Sequence, residues 1–198
     1  MKPTLDAAPG RWEFFQQFLR HPLQLGSITP SSRFLEQRIA AHPSVGTASL
    51  VVELGPGNGG TTRALLRAMA PEARLLSIEL NPDLFALLHH IGDHRFIAHH
   101  GDARRLRETL AHYDLGAPQA VISGIPFSTV APAVGREILD AIAAALAPGG
   151  HFVAYQVSGR VAELARPIFG EAEVDMEPLN IPPMRIFRWS KPGTEPRH

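Results

Sequence analysis

The sequence predicts an α/β fold built on a mostly parallel sheet. Three observations carry this. Hydrophobic strand-like runs alternate with helical patterns from residue 49 onward. A glycine-rich turn, Gly55-Pro56-Gly57-Asn58-Gly59, follows the first run. The last two strand-like runs have no helix between them, which predicts an antiparallel hairpin at one edge.

The elements follow in order. Residues 11–20 have helical spacing, with Trp12, Phe15 and Leu19 on one stripe and Phe14 and Phe18 beside it. Pro22 discourages continuation. Thr29 and Pro30 suit the N-cap and first position of a second helix, whose apolar face holds Phe34, Leu35 and Ile39. Strands are expected near 49–54, 74–79, 95–99, 119–123 and 150–157. Helices are expected near 60–70, 82–91, 103–112, 131–147 and 158–167. Ala147-Pro148-Gly149-Gly150 is a helix stop and turn. The final strands fall near 171–177 and 184–190, and Lys191–His198 reads as a frayed tail. This divides the chain into a helical extension (1–44), a sheet domain (45–190) and a tail (191–198).

Composition narrows the function classes. The chain has 198 residues, enough for one domain with a sizeable core. Its net charge of +0 supplies no global field for nucleic acid or anionic membrane, so nucleic acid is not an expected partner. With 0 cysteines it holds neither disulfides nor thiolate metal sites, which fits a reducing compartment. Asp6 and Glu13 interrupt any signal-peptide pattern, and no apolar run approaches the roughly 20 residues that cross a bilayer. A cytoplasmic protein is expected, with any membrane contact peripheral. The histidines His89, His90, His94, His99 and His100 are dense in sequence. Gly92-Asp93 breaks the helix between them, so no metal site is expected.

The chemistry gathers at the strand ends. Glycine tolerates φ > 0 and has no Cβ, so the turn after Glu53 (Gly55, Gly57, Gly59) allows close approach of a nucleotide-like ligand. No Lys-Ser/Thr pair follows Gly59, which excludes a phosphate-cradling P-loop. Glu79 ends the second strand, 20 positions after Gly59, where a carboxylate can accept both ribose hydroxyls. That suits either a nicotinamide dinucleotide or S-adenosylmethionine. Asp102 closes the third strand and can accept from an adenine amino group, or cap the next helix. At the fourth strand end, Ser123-Gly124-Ile125-Pro126-Phe127 is a polar-x-x-Pro-aromatic loop. Its carbonyls and the Phe127 ring, turned to the crevice mouth, suit an amine that becomes cationic when methylated.

These motifs together resemble class I S-adenosylmethionine-dependent methyltransferases over about residues 45–190. The resemblance implies a Rossmann-like, seven-stranded, mostly parallel sheet with a reversed last strand and helices on both faces. It implies S-adenosyl-L-methionine as cofactor, with S-adenosyl-L-homocysteine as product. The cofactor would lie on Glu53, Gly55, Gly57, Gly59, Glu79, Leu80, Asp102, Ala103 and Ser123, with Thr29 and Ser31 closing over it.

A narrower resemblance rests on Phe14–Arg33, which contains Gly26-Ser27-Ile28-Thr29-Pro30-Ser31-Ser32-Arg33, on Ser123–Phe127 and on Ile181–Arg188. These are similar to bacterial phospholipid N-methyltransferases. That family methylates phosphatidylethanolamine stepwise toward phosphatidylcholine at the inner face of the membrane. Phe127-Ser128-Thr129 departs from the more apolar run expected there. The implied catalytic residues are Tyr155, Ser123 and Phe127, with Tyr155 orienting the amine or relaying its proton. Arg33 and Arg185 are candidates for the lipid phosphate, since guanidinium matches phosphate oxygens bidentately. Trp12, Phe15 and Phe18, flanked by Arg11 and Arg20, suit an anionic bilayer interface, giving peripheral and reversible attachment. Two other acceptors remain: an adenine N6 of ribosomal RNA, and a soluble small amine. RNA enzymes of that kind usually carry a basic surface, which the net charge does not suggest.

Overall fold

The computed structural model describes residues 31–193. Five parallel strands form the sheet's backbone: β1 (Leu50–Leu54), β2 (Arg74–Glu79), β3 (Phe96–His100), β4 (Ala120–Ser123) and β5 (His151–Gln156). Two more, β6 (Glu173–Glu177) and β7 (Met184–Ser190), complete the order β3-β2-β1-β4-β5-β7-β6. β7 is antiparallel to both of its neighbours. The expected hairpin is therefore present, with β7 inserted beside β5 and β6 on the edge. The acids Glu173, Asp175 and Glu177 alternate along β6 and so share one face of this edge strand.

Helices cover both faces. Along the chain they are α1 (Arg33–Ala40), α2 (Pro43–Thr47), α3 (Gly60–Ala68), α4 (Pro82–Leu88), α5 (Leu106–His112), α6 (Pro132–Ala145) and α7 (Arg160–Phe169). One face packs α1, α2 and α3 against Val51, Leu75, Ile122, Val153 and Ile186. The other packs α5, α6 and α7 against Val52, Leu76, Val121, Phe152 and Phe187. β1 is buried at all five positions, which is why Leu-Val-Val-Glu-Leu reads as a continuous rather than alternating run.

Element boundaries differ from expectation in three places, each for a local reason. α1 begins at Arg33 with Ser32 as its N-cap, whose hydroxyl accepts from the Leu35 N–H at 3.3 Å. α4 stops at Leu88, and His89 forms its C-cap ahead of Gly92. α7 runs on through Pro167 to Phe169, because Gly170, at φ 79°, is what ends it. Thr29, Trp12, Phe15 and Phe18 lie outside the described residues. α1 belongs to the core, since Leu35 and Ile39 are fully buried against β1 and α3.

Among the described residues, no helix is long and apolar enough to cross a membrane.

Candidate active site at the carboxyl edge of the sheet

The parallel topology brings the ends of β1, β2, β3, β4 and β5 to one edge, with the order reversing between β1 and β4. Crevices outside such a switch point are where open α/β sheets bind ligands.

Gly55, Gly57 and Gly59 all have positive φ, at 71°, 60° and 79°. Gly57 faces open space, with nothing within 4 Å of where a Cβ would stand. Gly55 instead packs closely on Ile125 of the neighbouring loop. The turn is thus closed on one side and open on the other.

Glu79 is the turn's brace. Its carboxylate accepts the Gly57 N–H at 3.2 Å and the Asn81 N–H at 2.9 Å, one on each oxygen. Burial raises its pKa, opposed by the N–H groups of Asn81, Gly57 and Leu80. A carboxylate has about four acceptor positions, so capacity remains for two hydroxyl donors. Glu53 is wholly buried. One oxygen takes the hydroxyls of Ser77 at 2.6 Å and Thr62 at 2.7 Å, while Oε1 has no partner among the described residues. Desolvation pushes its pKa up to about 7. An open glycine cradle, a ribose-type acceptor and an orphaned buried acid fit the nucleoside and amino groups of S-adenosylmethionine.

The adenine side is more occupied than expected. Asp102 caps the following 3₁₀ turn (Ala103–Arg105) through the Arg104 N–H. Its other oxygen takes the Arg104 guanidinium at 2.6 and 2.9 Å, and Arg104 also pairs with Glu137. An adenine amino group would share this carboxylate with Arg104. Ala103 is buried and Leu80 half-buried beside it.

Tyr155 points at the strand-four loop. Its hydroxyl interacts with Thr61 at 3.4 Å and with Ser31. A Cβ on Gly124 would stand 2.6 Å from that hydroxyl and 2.8 Å from the Gly55 carbonyl oxygen, so only glycine fits there. Burial, then the nearby Glu53, raises the tyrosine pKa, which keeps the phenol protonated. It can donate or accept a hydrogen bond but is not a base. Ser123 is fully buried, its hydroxyl accepting the Ile125 N–H at 3.3 Å.

Phe127 corrects the sequence reading. The ring is 0% exposed and packs beside Gly135 of α6 rather than at the crevice mouth. Pro126 extends the backbone, but the apolar ring gains more in the core than at a wet crevice. Arg33 and Arg185 are both exposed. Arg33 stacks over Phe34, and neither forms an ion pair among the described residues.

Four contributors escaped the sequence reading. Gln156 donates from Nε2 to the Ile125 carbonyl at 2.7 Å and leaves Oε1 buried without a partner among the described residues. Glu36 presses its carboxylate against Gly60 at the start of α3. Thr61 and Thr62 serve Tyr155 and Glu53. Only Gln156 carried a signal, as the neighbour of Tyr155 at a strand end.

No family model matches the chain. It is 29% identical over 183 residues to an ornithine lipid N-methyltransferase from Singulisphaera acidiphila, covering 88% of this chain and 92% of that protein. It is 30% identical over 173 residues to a ribosomal RNA small subunit methyltransferase A from Phenylobacterium zucineum. It spans about half of that enzyme's length, 54%. Among solved structures, an N-methyltransferase from Bradyrhizobium japonicum, in complex with S-adenosyl-L-homocysteine, superposes with a TM-score of 0.66 at 14% identity. That match covers 92% of this chain and 98% of the other. The fold is that of class I S-adenosylmethionine-dependent methyltransferases, and the sequence relatives are methyltransferases too. Within that class the chain resembles bacterial lipid N-methyltransferases.

Proposed function

We propose that this chain methylates the primary amine of a membrane lipid head group, of the phosphatidylethanolamine type, stepwise toward the quaternary amine. The observation that carries this is the alignment along nearly the full length of a lipid N-methyltransferase. That relative's name specifies ornithine lipid; the shared chemistry is a lipid-borne amine presented at a membrane surface.

S-adenosylmethionine supplies an electrophilic methyl on a sulfonium centre. Glu79 holds the ribose hydroxyls, Gly57 gives the cradle, and the free Oε1 of Glu53 accepts from the amino group. Asp102 with Ala103 and Leu80 frames the base. The acceptors proposed for the amine are carbonyls of the Ser123–Phe127 loop and Oε1 of Gln156, which has no partner among the described residues. Tyr155 orients the amine through its hydroxyl. Because the phenol is held protonated, it is not the group that takes the ammonium proton. Positioning supplies most of the rate, since no covalent assistance is needed. Arg33 and Arg185 take the lipid phosphate. Trp12, Phe15 and Phe18 add membrane contact, and Thr29 and Ser31 close the cofactor site.

A second reading is favoured by the ribosomal RNA relatives: transfer to an adenine amine. One assay separates the two. Labelled S-adenosylmethionine is offered with phosphatidylethanolamine vesicles, ornithine lipid vesicles, ribosomal RNA or free ethanolamine. Label in lipid supports the proposal. Label in RNA alone overturns it.

A further inference from the structure

Seven large hydrophobic side chains of the described residues are exposed, and five gather at the active-site edge. Val157 follows β5 directly and Met176 is the penultimate residue of β6. Leu179 and Ile181 lie in the loop joining β6 to β7, which leaves the sheet at the edge where β5 ends. Phe34 is in the first turn of α1. Ile181 is 81% exposed, Leu179 59% and Val157 52%. Side chains this exposed gain nothing from the fold.

The loop is nonetheless braced. Asn180 is 1% exposed; its Oδ1 accepts the Ser32 N–H at 2.8 Å and its Nδ2 donates to the Pro182 carbonyl at 2.8 Å. Arg38 of α1 pairs with Asp175 and Glu177, on the strand that leads into the loop. Asn180 thus ties the loop to Ser32, and the adjacent Ser31 reaches Tyr155. The exposed pair on either side of Asn180 is therefore fixed relative to the methyl-transfer site.

Its chemistry suits a bilayer interface. Pro178, Pro182 and Pro183 have no N–H, and the Leu179 N–H is satisfied by Glu177 Oε1 at 2.9 Å. Few donors then lose their hydration when the loop leaves water. Arg33, next to the Ser32 that Asn180 holds, and Arg185, two residues after Pro183, are exposed and form no ion pair among the described residues, while the acids leading into the loop, Asp175 and Glu177, are both taken by Arg38. Charge complementarity selects an anionic lipid surface.

We propose that the Pro178–Pro183 loop is a membrane wedge. Leu179 and Ile181 enter the interfacial region of an anionic bilayer and set the active-site edge against the head groups. This rests on the lipid reading above but is separately testable. The chain has 0 cysteines, so Ile181→Cys gives one labelling site. An environment-sensitive fluorophore there is mixed with phosphatidylglycerol/phosphatidylcholine vesicles, and Glu72→Cys, on the turn before β2, serves as control. The expected result is a blue shift at 181, none at 72, and none at 181 with pure phosphatidylcholine. In parallel, Leu179→Ser/Ile181→Ser should lower vesicle co-sedimentation roughly tenfold, with S-adenosylhomocysteine affinity unchanged. Unchanged sedimentation, no sedimentation of the parent, or no shift at 181 would overturn the wedge. So would a shift that grows with protein concentration without vesicles, which would mean self-association. Failure of the lipid reading looks different: the wedge enters vesicles, yet no label reaches lipid.

Discussion

Glu79 Oε2 accepts the backbone N–H of Gly57 at 3.2 Å, across 22 residues of chain. The end of β2 thereby holds open the turn that follows β1. Gly57 needs its positive φ to present that N–H, and Glu79 is left with acceptor positions toward the crevice.

Replacing Glu79 with Gln keeps one acceptor oxygen and removes the charge. S-adenosylhomocysteine affinity should fall roughly 10- to 100-fold, the value of one or two charge-assisted hydrogen bonds. Glu79→Ala should abolish binding while circular dichroism stays native. Calorimetric titration measures both, and unchanged affinity would remove Glu79 from the ribose site.

Glu53 should make stability depend on pH. Its folded pKa, about 7, lies above the ordinary 4.5, so the folded state binds the extra proton between those values. Its contribution is fully present below about pH 4.5 and is lost as pH rises through 7, on the order of 3 kcal/mol in all. Glu53→Gln has no such proton. The stability difference, variant minus parent, should therefore rise from pH 5 to pH 7.5 in urea titrations. A flat difference would contradict the assigned burial effect.

Gly124→Ala places a methyl against the Tyr155 hydroxyl and the Gly55 carbonyl. A cost of about 1–3 kcal/mol is expected from overpacking, with a larger fractional loss in kcat than in cofactor affinity. Adding Tyr155→Phe should recover part of the stability, because it removes the nearer atom, but not the activity. Thermal melting and single-turnover rates separate the two effects.

Phe127 lies in the core, so Phe127→Leu should cost stability, about 1–2 kcal/mol, and leave S-adenosylhomocysteine affinity within twofold. A selective loss of methyl transfer at full stability would return the ring to the crevice.

The sheet was legible because its signals are local. Leu50–Leu54 and Leu75–Ile78 are rich in Leu, Ile and Val, each with one polar residue, and Asn81-Pro82 announces a helix start. Positions at strand ends follow from topology alone, which is how Glu79, Asp102 and Ser123 were placed at one edge. Side-chain direction was not legible. Phe127 turned inward because Gly135 leaves room for the ring, a fact separated from it by eight positions of sequence. Arg104 lay two residues from Asp102 and still gave no sign that it would take the carboxylate. Gln156 and Asn180 owe their roles to partners 31 and 148 residues away, distances that no periodicity records.

The most direct test is the lipid extract of a bacterial host that makes phosphatidylethanolamine but no methylated lipid, expressing this chain or its Glu79→Gln variant. Mass spectrometry of the head groups should find mono-, di- and trimethylated amines with the parent and a strongly reduced yield with the variant. An unchanged lipid profile, alongside new N6-methylated adenine in ribosomal RNA, would contradict the lipid assignment.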